Sequence, residues 1–346
     1  MKDRDPRLPS ERRLLLTASP HLKASDSTPK IMWHVVGSLA PVVAAAVYFF
    51  GPSALLVILA ATLGAVVVER AFGPKASLWD GSAVITGILL GLCLPAGFPL
   101  WMAFVGGAFG VAFGKLVFGG LGQNPFNPAL VGRAFLQAAF PTAITTWPST
   151  QMEWGAWRGA NFAAPLLGGE APDVVTAATP LGLWKFEGEI TGLFELMMGS
   201  TGGSLGETAG ILILLCGGYL AARKYLNWRI PVGIFLVVFV LSQILFLMDG
   251  ERFPPPFFML FSGGLMLGAV YMATDMVTSP LTNLGAWIYA AGIGIFIVLI
   301  RVWGGLPEGV MFAILFMNAV VPFINQATQP RVFGHLPKKR AEEARA

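Results

Sequence analysis

Long apolar runs separated by short polar segments dominate this chain. About 20 apolar residues are needed for a helix to cross the hydrocarbon core of a bilayer. Ten runs are candidate spans: 31–50, 53–72, 82–98, 99–119, 128–146, 207–222, 228–248, 257–274, 284–303 and 307–325, the third and fifth of them short and interrupted. The pattern predicts an all-α integral membrane protein of about ten transmembrane helices.

Composition agrees with this class. Of the 346 residues, 55% are hydrophobic and 12% charged, and the mean hydropathy is +0.68, which excludes an ordinary water-soluble domain. The net charge of +4 comes largely from clusters outside the apolar runs, so it carries topology information and does not indicate nucleic-acid binding. Cys93 and Cys216 each lie alone in an apolar run, which favours core residues over a metal site, a disulfide or an iron–sulfur site.

Positive charge orients the spans, because Lys and Arg accumulate in cytoplasmic loops. With ten spans, both termini and most basic loops fall on one side, the predicted cytoplasm, with Arg301 as an exception. The long loop opposite is acidic and therefore external. We divide the chain into a cytoplasmic tail 1–30, a first half 31–146 of five spans, an external loop 147–206, a second half 207–325 of five spans, and a basic cytoplasmic tail 326–346.

A weak internal repeat accompanies this count. "PALVGRAFLQAAFP" from Pro128 resembles "PEGVMFAILFMNAVVP" from Pro307. Because five spans per half is an odd number, the two halves would be inverted relative to each other, an arrangement that places binding sites on broken helices at the repeat interface. The alternative is chance similarity between apolar helices rich in Gly and Ala.

The segment "GGLGQNPFNPALVGR", residues 119–133, interrupts the apolar pattern. Its prolines and glycines cannot continue a helix, and a new helix should begin near Pro128 with Asn127 as its cap. Irregular backbone at membrane depth is tolerated where it lines a cavity. Asn124 and Asn127 are therefore candidate ligands of a bound polar group, and a capped cytoplasmic loop is the equal alternative.

Ionisable residues near span ends are a second signal, since charges at membrane depth are costly and usually face a partner or a cavity. We expect Lys115 to snorkel to the interface. Arg133 lies about one turn into the fifth span and needs a partner, for which Asp80 is the nearest candidate by topology. "MATDMVTSPLTN", residues 272–283, predicts a capped turn around Asp275, with a cation path as the alternative.

The external loop contains "DVVTAATPLG", residues 173–182. Pro180 biases Thr179 towards an extended conformation. A threonine hydroxyl without an adjacent base is a poor nucleophile, so the sequence favours either an acceptor that another enzyme modifies or a capping turn before a short helix.

These motifs together resemble one family. An external "TAATPL" that follows an "NPFNPA" break, in a chain of about ten spans, is similar to the D subunit of the Rnf electron-transport complex and to the related B subunit of the sodium-translocating NADH:quinone reductase. The resemblance covers essentially the whole chain. It implies that Thr179 carries FMN through a phosphoester that a separate flavin transferase installs. It also implies a second, non-covalent flavin, riboflavin or FMN, which we place at Asn124 and Asn127.

The resemblance implies a flavin-carrying subunit of a redox-driven pump in the bacterial inner membrane, which exchanges electrons between ferredoxin and NAD⁺ and moves Na⁺ or H⁺. The chain has no ferredoxin-type cysteine run and no dinucleotide fingerprint. Those sites would belong to partner proteins of the complex, its A, E and G membrane subunits and its B and C peripheral subunits. The tryptophans of the loop would shield a flavin or anchor the loop in the membrane interface: Trp147, Trp154, Trp157 and Trp184.

Two other classes remain as alternatives. Inverted five-span repeats with broken helices also suit a small-solute channel or transporter, from which bound flavin would distinguish a redox subunit. A membrane glycosyl or polyprenyl transferase would need paired acidic metal ligands, and Asp80 and Asp275 do not form such a pair.

Overall fold

The regular elements of the computed structural model are helices. The structure describes residues 26–73, 79–148, 161–163, 178–199, 201–207 and 210–330. The first half contains α1 (Thr28–Phe50), α2 (Pro52–Phe72), α3 (Ser82–Leu92), α4 (Leu100–Val111), α5 (Pro128–Ala139) and α6 (Pro141–Ile144). The second part contains α7 (Pro180–Gly182), α8 (Leu193–Met198), α9 (Gly210–Ala222), α10 (Arg229–Met248), α11 (Pro256–Phe261), α12 (Leu265–Leu267), α13 (Asn283–Trp303) and α14 (Val310–Ala327).

Five helices of the described part are long and apolar enough to cross a membrane: α1, α2, α10, α13 and α14. The helices α3, α4 and α9 are apolar but shorter. These lengths support a multi-pass membrane protein. The third and fifth predicted spans are short, since α3 has 11 residues and α5 has 12.

Three π-helical turns extend helices of the described part. Residues Ala112–Leu116 continue α4, Leu183–Glu187 continue α7 and Gly268–Met272 continue α12. Each such turn accommodates one more residue than an α-helical turn and shifts the direction of the side chains that follow it. The first carries Lys115 and the second carries Lys185.

The predicted eighth span, 257–274, is not one helix. It breaks at residues 262–264, between α11 and α12, where Gly263 has a φ of 65°. Such a left-handed conformation is open to glycine and unfavourable for most other residues, so a continuous helix is lost at this point. The fifth span also ends early, because Pro141 restricts Phe140 to a non-helical conformation and separates α6 from α5.

Glycine allows the closest helix contact of the first half. A Cβ atom at Gly107 would collide with the carbonyl oxygen of Ala61, and one at Gly64 would collide with that of Phe104. The backbones of α2 and α4 therefore touch, which is the usual way that membrane helices gain packing contacts. One buried apolar cluster continues from these helices into α9, α10, α13 and α14.

Candidate functional site

Asn127 starts α5 as predicted. It has an extended conformation, and its Oδ1 atom accepts hydrogen bonds from the backbone N–H groups of Ala129 and Leu130 at 3.0 and 3.4 Å. Its Nδ2 atom donates to the carbonyl oxygen of Met272, 3.1 Å away, and so ties the start of α5 to the π-helical turn of the second half. The capping role is confirmed, and it occupies much of the hydrogen-bonding capacity of Asn127.

Asn124 and Asn127 line the same cavity, which we name the Asn127 cavity. It contains about 770 Å³ of space outside the protein atoms, including the part open to solvent. Its polar and charged lining residues are Ser82, Thr86, Lys115, Asn124, Asn127, Tyr225, Tyr271, Thr274 and Asp275. The structure thus brings both predicted asparagines to the wall of one pocket.

The oxygen of the Asn124 side chain has an unmet hydrogen-bonding requirement. Asn124 is 4% exposed, and its Nδ2 atom donates to the carbonyl oxygen of Phe126 at 3.2 Å. Its Oδ1 atom has no partner among the described residues. Because buried polar atoms are normally hydrogen-bonded, this acceptor requires a donor such as a water molecule or a bound group.

Lys115 does not snorkel, and that expectation was wrong. Its side chain is 2% exposed, and its ammonium group lies 2.5 Å from a carboxylate oxygen of Glu69, whose side chain is fully buried. It also donates to the hydroxyl of Ser82 at 2.6 Å, and Ser82 in turn donates to Asp80. Glu69 therefore supplies the partner that a charge at membrane depth requires.

The turn around Asp275 is capped, as the sequence predicts. Its carboxylate accepts hydrogen bonds from the backbone of Val277 and the hydroxyl of Thr278, both at 3.3 Å. The hydroxyl of Thr282 then accepts from the N–H of Gly285 and begins α13.

Thr179 has the extended conformation that Pro180 predicts, with φ −72° and ψ 152°. It is half-buried, and its hydroxyl oxygen accepts a hydrogen bond from the N–H of Gly182 at 3.1 Å. The capping turn before a short helix is therefore present. The companion residues Thr176 and Ala177 lie outside the described residues.

Thr179 lines a second cavity, which we name the Thr179 cavity. It contains about 640 Å³ outside the protein atoms, including the part open to solvent. Its polar and charged lining residues are Arg133, Gln137, Thr145, Trp147, Thr179, Glu207 and Glu308. The Asn127 cavity meets the first residues of α5 and the Thr179 cavity meets Arg133 and Gln137, so the two lie towards opposite ends of α5, roughly 9–15 Å apart at 1.5 Å per residue.

Arg133 pairs with Glu308 and not with Asp80, the expected candidate. Its guanidinium lies 2.5 Å from a carboxylate oxygen of Glu308, and the other oxygen of Glu308 accepts from the N–H of Gly264 at 2.6 Å. Asp80 instead accepts hydrogen bonds from the backbone and the hydroxyl of Ser82. The ion pair connects α5 with the residues before α14, so it links the two halves of the chain.

Glu207 is the second carboxyl group of the Thr179 cavity, and it lies before α9. It accepts a hydrogen bond from the hydroxyl of Ser204 at 2.8 Å, and its carboxyl group lies close to that of Glu308. Glu207 and Glu308 therefore bring two carboxyl groups to the same cavity wall as the guanidinium of Arg133.

Arg301 is buried in the second half, and it is the exception to the predicted distribution of basic residues on one side of the membrane. Its guanidinium donates to the carbonyl oxygens of Met259 and Ser262, at 2.5 and 2.9 Å. These carbonyls end α11 and have no helical partner there. Arg301 therefore stabilises the break between α11 and α12, which explains why a charged residue is buried here.

Lys185 follows Thr179 by six residues and docks on the end of α13. Its ammonium group donates to the carbonyl oxygens of Arg301, Gly304 and Leu306, at 2.9, 2.5 and 3.0 Å. Nearby, Leu181 is buried with Leu196 and Phe258, and Trp184 packs against this cluster.

Of the loop tryptophans, Trp147 lines the Thr179 cavity and Trp184 serves packing. Trp154 and Trp157 lie outside the described residues. Both cysteines carry free thiols. Within the described ranges there is no group of three or more His, Cys, Asp or Glu side chains placed to hold a metal ion.

Sequence reasoning missed the acidic partners Glu69, Glu207 and Glu308 and the docking residue Lys185. Glu69 carried a signal, because it lies within the second apolar run, where an unpaired carboxylate is unfavourable. Glu308 also carried one, because it directly follows Pro307 at the start of the second repeat segment. Lys185 had none, since it looks like an ordinary loop lysine.

Known proteins resemble this chain over nearly its full length. Residues 15–334 match the NQR2, RnfD, RnfE family. The chain is 41% identical over 333 residues to the D subunit of a proton-translocating ferredoxin:NAD(+) oxidoreductase complex of Clostridium ljungdahlii, with 92% of this chain and 96% of that protein covered. It is 37% identical over 343 residues to the D subunit of the Na(+)-translocating ferredoxin:NAD(+) oxidoreductase complex of Acetobacterium woodii, with 97% and 100% covered.

A third relative is the D subunit of the ion-translocating oxidoreductase complex of Stutzerimonas stutzeri, which is 40% identical over 332 residues and covers 89% of this chain and 93% of its own length. The match to the family spans far more than half of the chain, and the relatives exceed 35% identity over almost all of it. This chain therefore belongs to the NQR2, RnfD, RnfE family.

Proposed function

We propose that this chain is the flavin-carrying membrane subunit of a redox-driven ion pump, a ferredoxin:NAD⁺ oxidoreductase of the Rnf type. The observation that carries the proposal is the pair of cavities towards opposite ends of α5, one beside Thr179 and the other lined by Asn124 and Asn127. The names of the relatives support the class of reaction. They include both a proton-translocating and a Na⁺-translocating complex, so the coupling ion differs among these relatives.

Thr179 is the proposed attachment point of FMN through a phosphoester. Its hydroxyl oxygen accepts the Gly182 N–H, and no hydrogen bond among the described residues uses the hydroxyl hydrogen. Replacing that hydrogen with a phosphoryl group therefore breaks no bond of the described fold. FMN in this position would supply one-electron redox chemistry, while the chain holds and orients it.

The covalent site is tested with Thr179→Val, which keeps the branched shape and removes the hydroxyl. Thr176→Val is the matched control, since it alters the fourth residue of "DVVTAATPLG" and leaves the acceptor intact. We expect in-gel flavin fluorescence of the denatured chain, co-expressed with its transferase, to disappear only in Thr179→Val. Fluorescence that persists in Thr179→Val and vanishes in Thr176→Val would assign the covalent flavin to Thr176. No fluorescence in the parent would refute covalent flavin.

The Asn127 cavity is the proposed site of a second, non-covalent flavin. Most of its lining is apolar, as in sites that bind ring systems, and the buried Oδ1 atom of Asn124 offers an acceptor for a ring N–H. Lys115 adds a positive charge to the wall, although Glu69 compensates it. Replacing both asparagines with leucine should remove extractable flavin and leave the covalent flavin in place. Unchanged extractable flavin in this double variant would show that the two asparagines serve the fold and do not bind flavin.

For the architecture, we propose ten spans in two inverted halves of five, with the Thr179 loop external and both termini cytoplasmic in a bacterial inner membrane. The helices support this arrangement by their packing: α2 contacts α3 and α4, and α10 contacts α11 and α13. A reporter fused after Ala346 should behave as cytoplasmic and one inserted near Gly168 as external. Both reporters on the same side would contradict the arrangement.

Partner proteins complete the pump in this proposal. The A, E and G membrane subunits and the B and C peripheral subunits would hold the iron–sulfur clusters and the NAD⁺ site, which this chain lacks the cysteine run and the fingerprint to form. Co-purification from the native membrane should recover them together with this chain.

A further inference from the structure

Lys185 makes an unusual set of contacts for a loop lysine. Within the described residues it makes three hydrogen bonds, all to backbone carbonyl oxygens, those of Arg301, Gly304 and Leu306. The last carbonyls of a helix lack helical partners and carry partial negative charge, so an ammonium group stabilises them. Lys185 therefore acts as a cap of α13 that is supplied by a distant segment.

Thr179 and Lys185 belong to one small structural unit. The carbonyl oxygen of Thr179 accepts from the N–H of Leu183 at 2.9 Å, and the N–H of Gly188 donates to the carbonyl oxygen of Trp184 at 3.1 Å. Leu181, between them, is 1% exposed. Because the backbone bonds and this buried side chain fix the unit internally, a contact at Lys185 also determines the position of Thr179.

The surface on which Lys185 docks adjoins the Thr179 cavity, and Leu306 belongs to both. Arg301 offers its backbone oxygen to Lys185, while its side chain binds the α11–α12 break at Met259 and Ser262. Leu306 both accepts from Lys185 and lines the cavity, and Glu308 follows two residues later. The ammonium of Lys185 thus fastens the Thr179 unit to the residues that carry the Arg133–Glu308 pair.

We propose that Lys185 is a positioning residue that docks the Thr179 unit on the end of α13 and so holds the group attached to Thr179 at the Thr179 cavity. The proposal rests on the proposed function for the identity of that group as a flavin. The docking itself rests only on the contacts of Lys185, so the two can be tested separately.

Docking is tested by hydrogen exchange on the full chain produced without the flavin transferase. Lys185→Met removes the ammonium and keeps a long side chain, Lys185→Arg keeps the charge, and Glu187→Gln changes an exposed charge in the same turn. We expect amides of residues 179–189 to exchange about tenfold faster in Lys185→Met, as loss of a charged hydrogen-bonding group implies. Lys185→Arg should restore most of the protection, and Glu187→Gln should match the parent. Parental protection in Lys185→Met would overturn docking.

The positioning role is tested on the flavinylated complex. The amount of covalent flavin should stay at the parental level in Lys185→Met, because the hydroxyl of Thr179 remains. Quenching of flavin fluorescence by iodide should rise and fluorescence anisotropy should fall, both returning towards parental values in Lys185→Arg. Parental quenching alongside faster amide exchange would overturn the positioning role. A parent without covalent flavin would refute the proposed function, and the exchange result would still decide docking.

Discussion

The two cavities each contain a buried cation, and the cations are paired in different ways. At the Asn127 cavity, Lys115 and Glu69 have side chains only 2% and 0% exposed, and both belong to the first half of the chain. At the Thr179 cavity, Arg133 and Glu308 are 10% and 21% exposed and connect the two halves. Glu207 adds a second carboxyl group to the latter pair.

This difference separates a fixed charge pair from an adjustable one. Removing either member of a fully buried ion pair strongly lowers the free energy of unfolding, because the remaining charge cannot reach water. The pair at the Thr179 cavity has a shared carboxyl partner, a backbone N–H donor and partial access to solvent. We therefore name Lys115–Glu69 the fixed pair and Arg133–Glu308 the adjustable pair, since only the second has partial access to solvent.

The largest expected effect follows from breaking the fixed pair. Lys115→Met leaves Glu69 fully buried without its cation and should lower the free energy of unfolding in detergent by about 3–5 kcal/mol. Replacing both residues, Lys115→Met with Glu69→Met, should recover most of that loss, since an apolar pair of similar volume needs no compensation. Arg70→Met, at an exposed neighbour of Glu69, serves as the control and should unfold like the parent. A double variant as unstable as Lys115→Met would show that packing, and not charge, is responsible.

Breaking the adjustable pair should have a smaller effect on stability. Arg133→Met leaves Glu308 with Gly264 N–H, Glu207 and partial solvent, so we expect a loss of about 2 kcal/mol. Because the pair joins α5 to the start of α14, amide exchange in α14 should accelerate in Arg133→Met and remain parental in Lys115→Met. Equally faster amide exchange in α14 of Arg133→Met and Lys115→Met would contradict the assignment of Arg133–Glu308 to the junction of the two halves.

Neither ion pair could be predicted from the sequence, whereas several local features could. The long helices followed from the apolar runs, the start of α5 from the Asn127–Pro128 pair, and the extended Thr179 from Pro180, because each depends on neighbouring residues alone. The ion pairs depend on distant ones: Glu69 is 46 residues from Lys115, and Glu308 is 175 residues from Arg133. The hydropathy pattern predicts how deep a charged residue lies within its own helix. It does not predict which other helix packs against that residue.

The break in the predicted eighth span was missed for a related reason. Residues 257–274 are apolar throughout, and Gly263 and Gly264 alone do not require a break. The break is stable because Arg301 and Glu308 satisfy the backbone groups that it leaves exposed. Those partners come from α13 and from the residues before α14, so only the tertiary structure reveals them.

The smallest effect distinguishes the two asparagines of the Asn127 cavity. Asn127→Leu removes the N-cap of α5 and should lower the unfolding free energy by about 1 kcal/mol. Asn127→Ser, which retains a capping oxygen, should recover most of it. Asn124→Leu loses one hydrogen bond to Phe126 but also removes a buried acceptor that lacks a partner among the described residues, so its net change should be close to zero.

For extractable flavin we expect the opposite order, with a larger loss in Asn124→Leu than in Asn127→Leu. If the Oδ1 atom of Asn124 accepts a hydrogen bond from the bound ring, Asn124→Leu should weaken retention about fivefold, the equivalent of one hydrogen bond of about 1 kcal/mol. Asn127→Leu should retain more, because its oxygen already serves Ala129 and Leu130. Flavin released from the denatured complex is measured against the covalent flavin of the same sample, which corrects for protein recovery. Greater loss in Asn127→Leu than in Asn124→Leu, at equal stability, would assign ligand contact to Asn127 and leave the unpartnered oxygen of Asn124 unexplained.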